Sequence, residues 1–201
     1  VIKEFGIGYA LDGWRHLRDY FEKAGIPLKL VEQSGLVIPK SNGGGSFYDR
    51  FRGRLIFPIE DAGGTVIAFG GRIIGEGEPK YLNTSESPVY IKGRNLYGLN
   101  RTKDDIRKKG YAILVEGYFD LITLWASGIR NIVATLGTAL TRDHVDLMRR
   151  YTSHVVVVFD PDEAGKKIFR PVNYHSYNGR SEVNSKFNMP VQVFFCKAPA
   201  T

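Results

Sequence analysis

The spacing of apolar positions changes several times along this chain, and each change predicts an element. In Gly13-Trp14-Arg15-His16-Leu17-Arg18-Asp19-Tyr20-Phe21, the residues Trp14, Leu17, Tyr20 and Phe21 recur as one helical face. Between Pro39 and Phe47 the stretch Lys40-Ser41-Asn42-Gly43-Gly44-Gly45-Ser46 has no periodicity and reads as an exposed loop. Beyond it, Arg50, Arg52 and Arg54 alternate with Phe51 and Gly53, while Leu55, Phe57 and Ile59 continue the opposite parity. That alternation predicts a strand with one apolar and one basic face, its three guanidinium groups side by side. Asp61-Ala62-Gly63-Gly64 reads as a turn and Thr65-Val66-Ile67-Ala68-Phe69 as the returning strand of a β-meander.

From Tyr111 the rhythm becomes strand, helix, strand, helix, strand, over 111–115, 120–127, 131–135, 141–150 and 154–159. The strand segments are continuous apolar runs. Strands buried on both faces read that way, so a parallel sheet covered by right-handed crossovers is expected. Gly128 fits a helix stop and Thr141 a helix N-cap. From Ile168 to Thr201 the regularity breaks into Asn, Ser, Gly and Tyr clusters, and only Val191-Gln192-Val193-Phe194-Phe195 reads as another strand. The expected architecture is α+β passing into α/β: a mixed, basic N-terminal lobe over 1–110, a parallel βαβαβ unit over 111–167, and an atypical tail over 168–201 that could be the truncated end of that unit.

Composition narrows the class. With 201 residues, 43% of them hydrophobic, the chain can bury one core or a core and a satellite lobe. A net charge of +7 favours a polyanionic partner, though it is also compatible with a merely soluble surface. The one cysteine, Cys196, cannot close an internal disulfide and reads as a buried hydrophobe, and no Cys or His pair has zinc-ligand spacing, so a reducing, cytoplasmic setting is expected. No apolar run approaches the roughly 20 residues that span a bilayer, and Val1 to Gly8 carry no signal-peptide pattern, so no membrane association is expected. The start without Met suggests a piece of a longer protein.

Two of the apolar strands run into acids: Val115 into Glu116-Gly117, and Phe159 into Asp160-Pro161-Asp162. In a parallel sheet the carboxyl ends share one edge, where open α/β folds place ligands, so Glu116, Asp160 and Asp162 are expected to converge. Convergent carboxylates suit a hard cation, Mg²⁺ or Mn²⁺, bridging to substrate phosphates. The plainer reading is local: Asp160-Pro161-Asp162-Glu163 also makes a good helix start and Glu116-Gly117 a turn, while Asp120 stays open between membership of the site and a carboxylate favoured at a helix N-terminus.

Val115-Glu116-Gly117-Tyr118-Phe119-Asp120 and Asp160-Pro161-Asp162-Glu163-Ala164-Gly165 resemble the two signatures of the Toprim domain, which topoisomerases, some nucleases and bacterial primases share. Tyr48-Asp49-Arg50-Phe51-Arg52, Phe69-Gly70-Gly71-Arg72, Pro79-Lys80-Tyr81-Leu82-Asn83, Lys92-Gly93-Arg94-Asn95-Leu96-Tyr97-Gly98-Leu99 and Leu136-Gly137-Thr138-Ala139-Leu140-Thr141 resemble the bacterial primase core specifically, with compatible spacing from about Phe5 to Lys167. The resemblance implies template-directed synthesis of short RNA primers on single-stranded DNA. It also implies Glu116, Asp160 and Asp162 as catalytic metal ligands, and Lys80, Lys92 and Arg72 as basic residues lining the catalytic groove. Ribonucleoside triphosphates are the implied substrates, and a replicative helicase is the implied partner, reached through a domain outside these residues at the bacterial replication fork.

Lys80, Lys92, Arg94, Arg72 and the Arg50, Arg52 and Arg54 row precede the acidic strands, so charge is separated along the chain. A ridge of cations opposite a metal cleft would hold template and triphosphate phosphates without reading base identity; the alternative is a solvated strand face. Among the aromatics, Phe51, Phe57, Phe69 and Tyr97 sit at core parity, while Tyr81 and Tyr90 are unassigned, as are His144 and His154. Two rivals stand beside the primase reading. One is another Toprim enzyme that cleaves nucleic acid. The other is an inactive primase fragment that binds nucleic acid, since the family pattern fails after Lys167: Arg170-Pro171 interrupts the expected helix, and no second acidic pair follows Val191 to Phe195.

Overall fold

The computed structural model describes residues 1–40, 45–159, 175–177, 180–184 and 190–195, the last three segments by their backbone. The chain forms two compact units, one of residues 1–60 and 66–91, the other of 61–65 and 92–201. Asp160 and Asp162 lie outside the described residues, as does most of the loop expected over 40–46.

The first unit holds β1 (Gly8–Ala10), α1 (His16–Lys23), α2 (Leu28–Gln33), β2 (Val37–Pro39), β3 (Phe47–Asp49), β4 (Arg54–Glu60), β5 (Val66–Ile73) and β6 (Tyr81–Asn83). Its main sheet is antiparallel in the order β1-β4-β5-β6, and β2 pairs with β3. The β-meander is therefore present, but its first strand begins at Arg54 and not at Arg50. Gly53 explains the difference: its φ of +57° is left-handed, and an extended strand cannot run through that conformation. Phe57, Ile59 and Ala68 are buried from this sheet, and Val31, Val37 and Phe47 form a small second cluster with Phe21, Leu28 and Leu36.

The helix expected around Gly13 to Phe21 begins at His16, and of the face read from the sequence Leu17 and Phe21 are half-buried while Trp14 (61%) and Tyr20 (65%) are exposed. The start is set from a distance. Arg15 at the N-cap offers no side-chain bond, but Asp49, 2% exposed at the end of β3, accepts the backbone N–H of Leu17 at 2.8 Å and of Arg18 at 2.9 Å. A carboxylate there satisfies two orphan donors and complements the helix dipole.

The second unit holds α3 (Leu99–Lys109), β7 (Ala112–Val115), α4 (Tyr118–Ala126), β8 (Ile132–Ala134), α5 (Arg142–Met148), β9 (Val155–Phe159), β10 (His175–Tyr177), β11 (Arg180–Asn184) and β12 (Pro190–Phe195). The sheet order is β10-β11-β12-β9-β7-β8. β7 runs parallel to both β8 and β9, β12 runs parallel to β9, and the pairs β10–β11 and β11–β12 are antiparallel. The architecture is mixed α+β, and the βαβαβ rhythm from 111 to 159 is as the apolar runs indicate. Leu114, Val133, Val155, Val157 and Phe159 form the core with Leu99 and Ile106 of α3. That packing places 92–110 with the parallel sheet, whereas the boundary read from sequence falls after 110. Helix α3 escaped the reading because its buried residues are only Leu99, Thr102 and Ile106 among charged neighbours.

Candidate functional site

Strands β7 and β9 are adjacent and parallel, with Leu114 opposite Val157, so the chain leaves both at the same edge of the sheet. Glu116 follows β7 directly and is half-buried. Its main chain is anchored by the segment after β8: Thr135 Oγ1 and the Gly137 N–H both donate to the Glu116 carbonyl at 3.3 Å. Between these donors Leu136 takes a φ of +64°, a left-handed conformation that costs a non-glycine about 1–3 kcal/mol and is held where surroundings over-determine it. Thr135 and Gly137, on either side of Leu136, thus fix the backbone that carries the acid.

Asp120, which sequence left open between site and helix, accepts the Gly117 N–H at 3.0 Å on the first turn of α4. Its geometry is that of a helix start. Among the described residues no group of three or more His, Cys, Asp or Glu could hold a metal ion. Glu116 is the one member of the predicted triad that the structure describes; as three carboxylates, Glu116, Asp160 and Asp162 have the hard oxygen chemistry that suits Mg²⁺ or Mn²⁺.

Lys92 and Arg94 occupy a 3₁₀ turn, Lys92–Arg94, and α5 holds that turn by its backbone. Thr141, the N-cap of α5, donates through Oγ1 to the Gly93 carbonyl at 2.5 Å and accepts the His144 N–H at 3.1 Å. His144 is fully buried; its Nδ1 accepts the Thr141 N–H at 3.3 Å, which leaves the proton on Nε2, 3.0 Å from the Lys92 carbonyl. Burial pushes the His144 pKa below its ordinary value, so the ring is neutral at pH 7. Arg94 Nε meets Asp143 Oδ2 at 2.9 Å, a solvent-exposed pair. The sequence signal for Thr141 as a cap was legible; nothing local marked His144, because its partner lies 52 residues away.

The arginine row of the first unit is not a row. Arg50 donates through Nε and Nη2 to the Asn83 carbonyl at 3.0 and 2.9 Å, and burial lowers its pKa. Arg52 lies over the Trp14 ring at 4.1 Å and the Tyr48 ring at 5.5 Å, and donates to the Asp49 carbonyl. Arg54 is buried and reaches the Lys80 carbonyl at 3.4 Å. Arg50 and Arg54 therefore bracket the Lys80-to-Asn83 segment from its two ends. Room for this crossing comes from Gly71, where a Cβ would meet Phe51 Cδ1 at 2.7 Å and Arg54 Cδ at 3.3 Å. Arg72 stands beside Tyr81, guanidinium to ring centre 5.5 Å, and Lys80 is exposed.

A family model described as the DNA primase catalytic core, N-terminal domain, matches residues 1–103, and a Toprim domain model matches residues 110–172. The DNA primase of Clostridium acetobutylicum is 47% identical over 168 residues, which is 83% of this chain and 27% of that protein. The crystal structure of a DNA primase domain from Pseudomonas aeruginosa superposes with a TM-score of 0.81 at 37% identity, covering 99% of this chain and 60% of that one. A DnaG primase catalytic domain bound to single-stranded DNA superposes with a TM-score of 0.74 at 40% identity, covering 83% of this chain and 51% of that one. The chain spans about a quarter of the length of the curated relatives it matches.

Proposed function

The chain belongs to the DNA primase catalytic-core family, and on that premise we propose that it carries the nucleotidyl-transfer centre of an enzyme that builds short RNA primers on single-stranded DNA. The observation that carries this reading is the acidic edge: Glu116 sits where parallel strands β7 and β9 deliver their carboxyl ends, within the stretch matched by the Toprim model. A cleaving Toprim enzyme would share that edge, but it would leave the match over 1–103 unexplained.

In the proposed reaction the 3′-hydroxyl of one ribonucleotide attacks the α-phosphorus of the next, the new phosphodiester bond forms, and pyrophosphate leaves. Toprim domains generally bind divalent metal; Glu116, Asp160 and Asp162 would hold an ion such as Mg²⁺ or Mn²⁺, which would supply charge neutralisation at the phosphate and a lowered hydroxyl pKa. Lys92 and Arg94, on the turn braced by His144 and Thr141, hold triphosphate oxygens. Lys80 and Arg72 hold template phosphates. Arg50 and Arg54, committed to main-chain carbonyls at both ends of Lys80 to Asn83, position Lys80, and Arg52 contributes beside Trp14. Contact with a replicative helicase is proposed for the whole protein, through segments beyond these residues.

Glu116→Ala and Asp160→Ala, each made in the intact protein, are expected to abolish primer synthesis from ribonucleotides on single-stranded DNA while the melting curve keeps its midpoint. Wild-type rates from a variant of unchanged stability would refute the assignment.

A further inference from the structure

Thr135 follows β8 directly and is fully buried, with 0% of its surface exposed. A valine would fill the same space and suit a buried strand end equally well. The hydroxyl therefore needs a use, because a buried O–H without a partner costs free energy that a methyl group does not. The sheet does not supply that use: the parallel rung at this position is made by the Thr135 N–H on the Val115 carbonyl at 3.2 Å. The hydroxyl turns to the next carbonyl along, that of Glu116, at 3.3 Å.

Thr135 thus reaches both peptide planes that flank Glu116, one through its N–H and the other through its hydroxyl. Peptide planes are rigid, so anchoring the two on either side of a residue sets its φ and ψ and the direction in which its side chain leaves the backbone. The second plane is also held elsewhere. Its carbonyl accepts the Gly137 N–H at 3.3 Å, which fills the second lone pair, and its N–H, that of Gly117, donates to Asp120 Oδ2 at 3.0 Å. Thr138 steadies the anchor itself, donating from Oγ1 to the Thr135 carbonyl at 3.0 Å. A matched hydroxyl lies at the opposite edge of the same sheet: Thr152, ahead of β9, donates from Oγ1 to the Gly110 carbonyl, ahead of β7, at 2.6 Å.

We propose that Thr135 is a positioning residue that sets the affinity of the acidic edge for a divalent cation, its hydroxyl holding the Glu116 backbone so that the carboxylate is aimed before the ion arrives. Groups that orient a ligand from behind act on metal affinity in this way. This role rests on the reading of Glu116, Asp160 and Asp162 as metal ligands and deepens it, giving the buried threonine after β8 a part in the chemistry.

The test is a Mn²⁺ titration of the intact protein, with free ion read by electron paramagnetic resonance. Thr135→Val weakens binding about fivefold or more. Thr135→Ser, which keeps the hydroxyl, and Thr152→Val, which loses an equivalent bond at the far edge, bind as wild type. In primer synthesis the Mg²⁺ concentration for half-maximal rate rises by the same factor in Thr135→Val, and saturating Mg²⁺ restores the wild-type rate. Thermal melts establish that each variant is folded, and Thr135→Ala replaces the valine variant if that one is not. Wild-type Mn²⁺ affinity without the Thr135 hydroxyl, or an equal loss in Thr152→Val, overturns the positioning role. Glu116→Ala in the same titration separates the two readings: weakened binding there leaves the metal ligands standing without Thr135, and unchanged binding removes them as well.

Discussion

His144 donates from Nε2 to the main-chain carbonyl of Lys92 at 3.0 Å, so a fully buried ring on α5 holds the turn that presents Lys92 and Arg94. Removing the ring strands that carbonyl and leaves a void. His144→Ala is expected to lower stability by about 2 kcal/mol or more, seen as a shift in the urea midpoint at constant slope. The apparent KM for ribonucleotides should rise more than kcat falls, because Lys92 and Arg94, the cations proposed to hold the triphosphate, lose their brace and not their charge.

The same ring makes stability depend on pH. Its folded-state pKa lies below the ordinary 6.5, because burial disfavours the imidazolium. The unfolded chain therefore binds more protons as pH drops. The contribution of His144 is fully present above pH 6.5 and is lost as pH falls from there towards the folded-state value. Denaturant midpoints at pH 7.5 and 5.5 should differ for wild type and differ less for His144→Gln; equal differences would rule His144 out as the source.

Asp49 sits inside the Tyr48-to-Arg52 signature, yet its bonds are those of a helix cap supplied from a strand. Both carboxylate oxygens accept N–H groups of α1, from Leu17 and Arg18. Asp49→Ala should cost about 1–2 kcal/mol, and Asp49→Asn less, since the amide keeps one acceptor but loses the charge–dipole part. Thermal melts of both variants check the ranking.

Gly71→Ala should destabilise the first unit by about 1–3 kcal/mol, as its methyl group would enter the Phe51 ring. Arg54 crosses at the same point on its way to the Lys80 carbonyl, so single-stranded DNA affinity should fall as well. A melt combined with an anisotropy titration reads both effects. Unchanged stability with normal DNA binding would show that Phe51 repacks freely.

Removing divalent metal with a chelator is expected to stop primer synthesis while single-stranded DNA remains bound, because the acids and the cations act on different atoms of the substrate. Synthesis that continues in chelator would exclude the metal-bound centre.

Along residues 111–159 the amino-acid order by itself determined the parallel core. Val, Ile and Leu runs such as Val155 to Val158 must be covered on both faces, and Thr141 caps a helix wherever that helix lies. Local chemistry is enough for such elements, and it also places Glu116 at a strand's carboxyl end. The rest depended on partners far away in sequence. Gly53 turned an apparent row of arginines into three separate contacts, because backbone handedness overrides side-chain alternation. Asp49 became a cap and His144 a brace only through strand pairing and packing, which bring together residues that no local pattern connects.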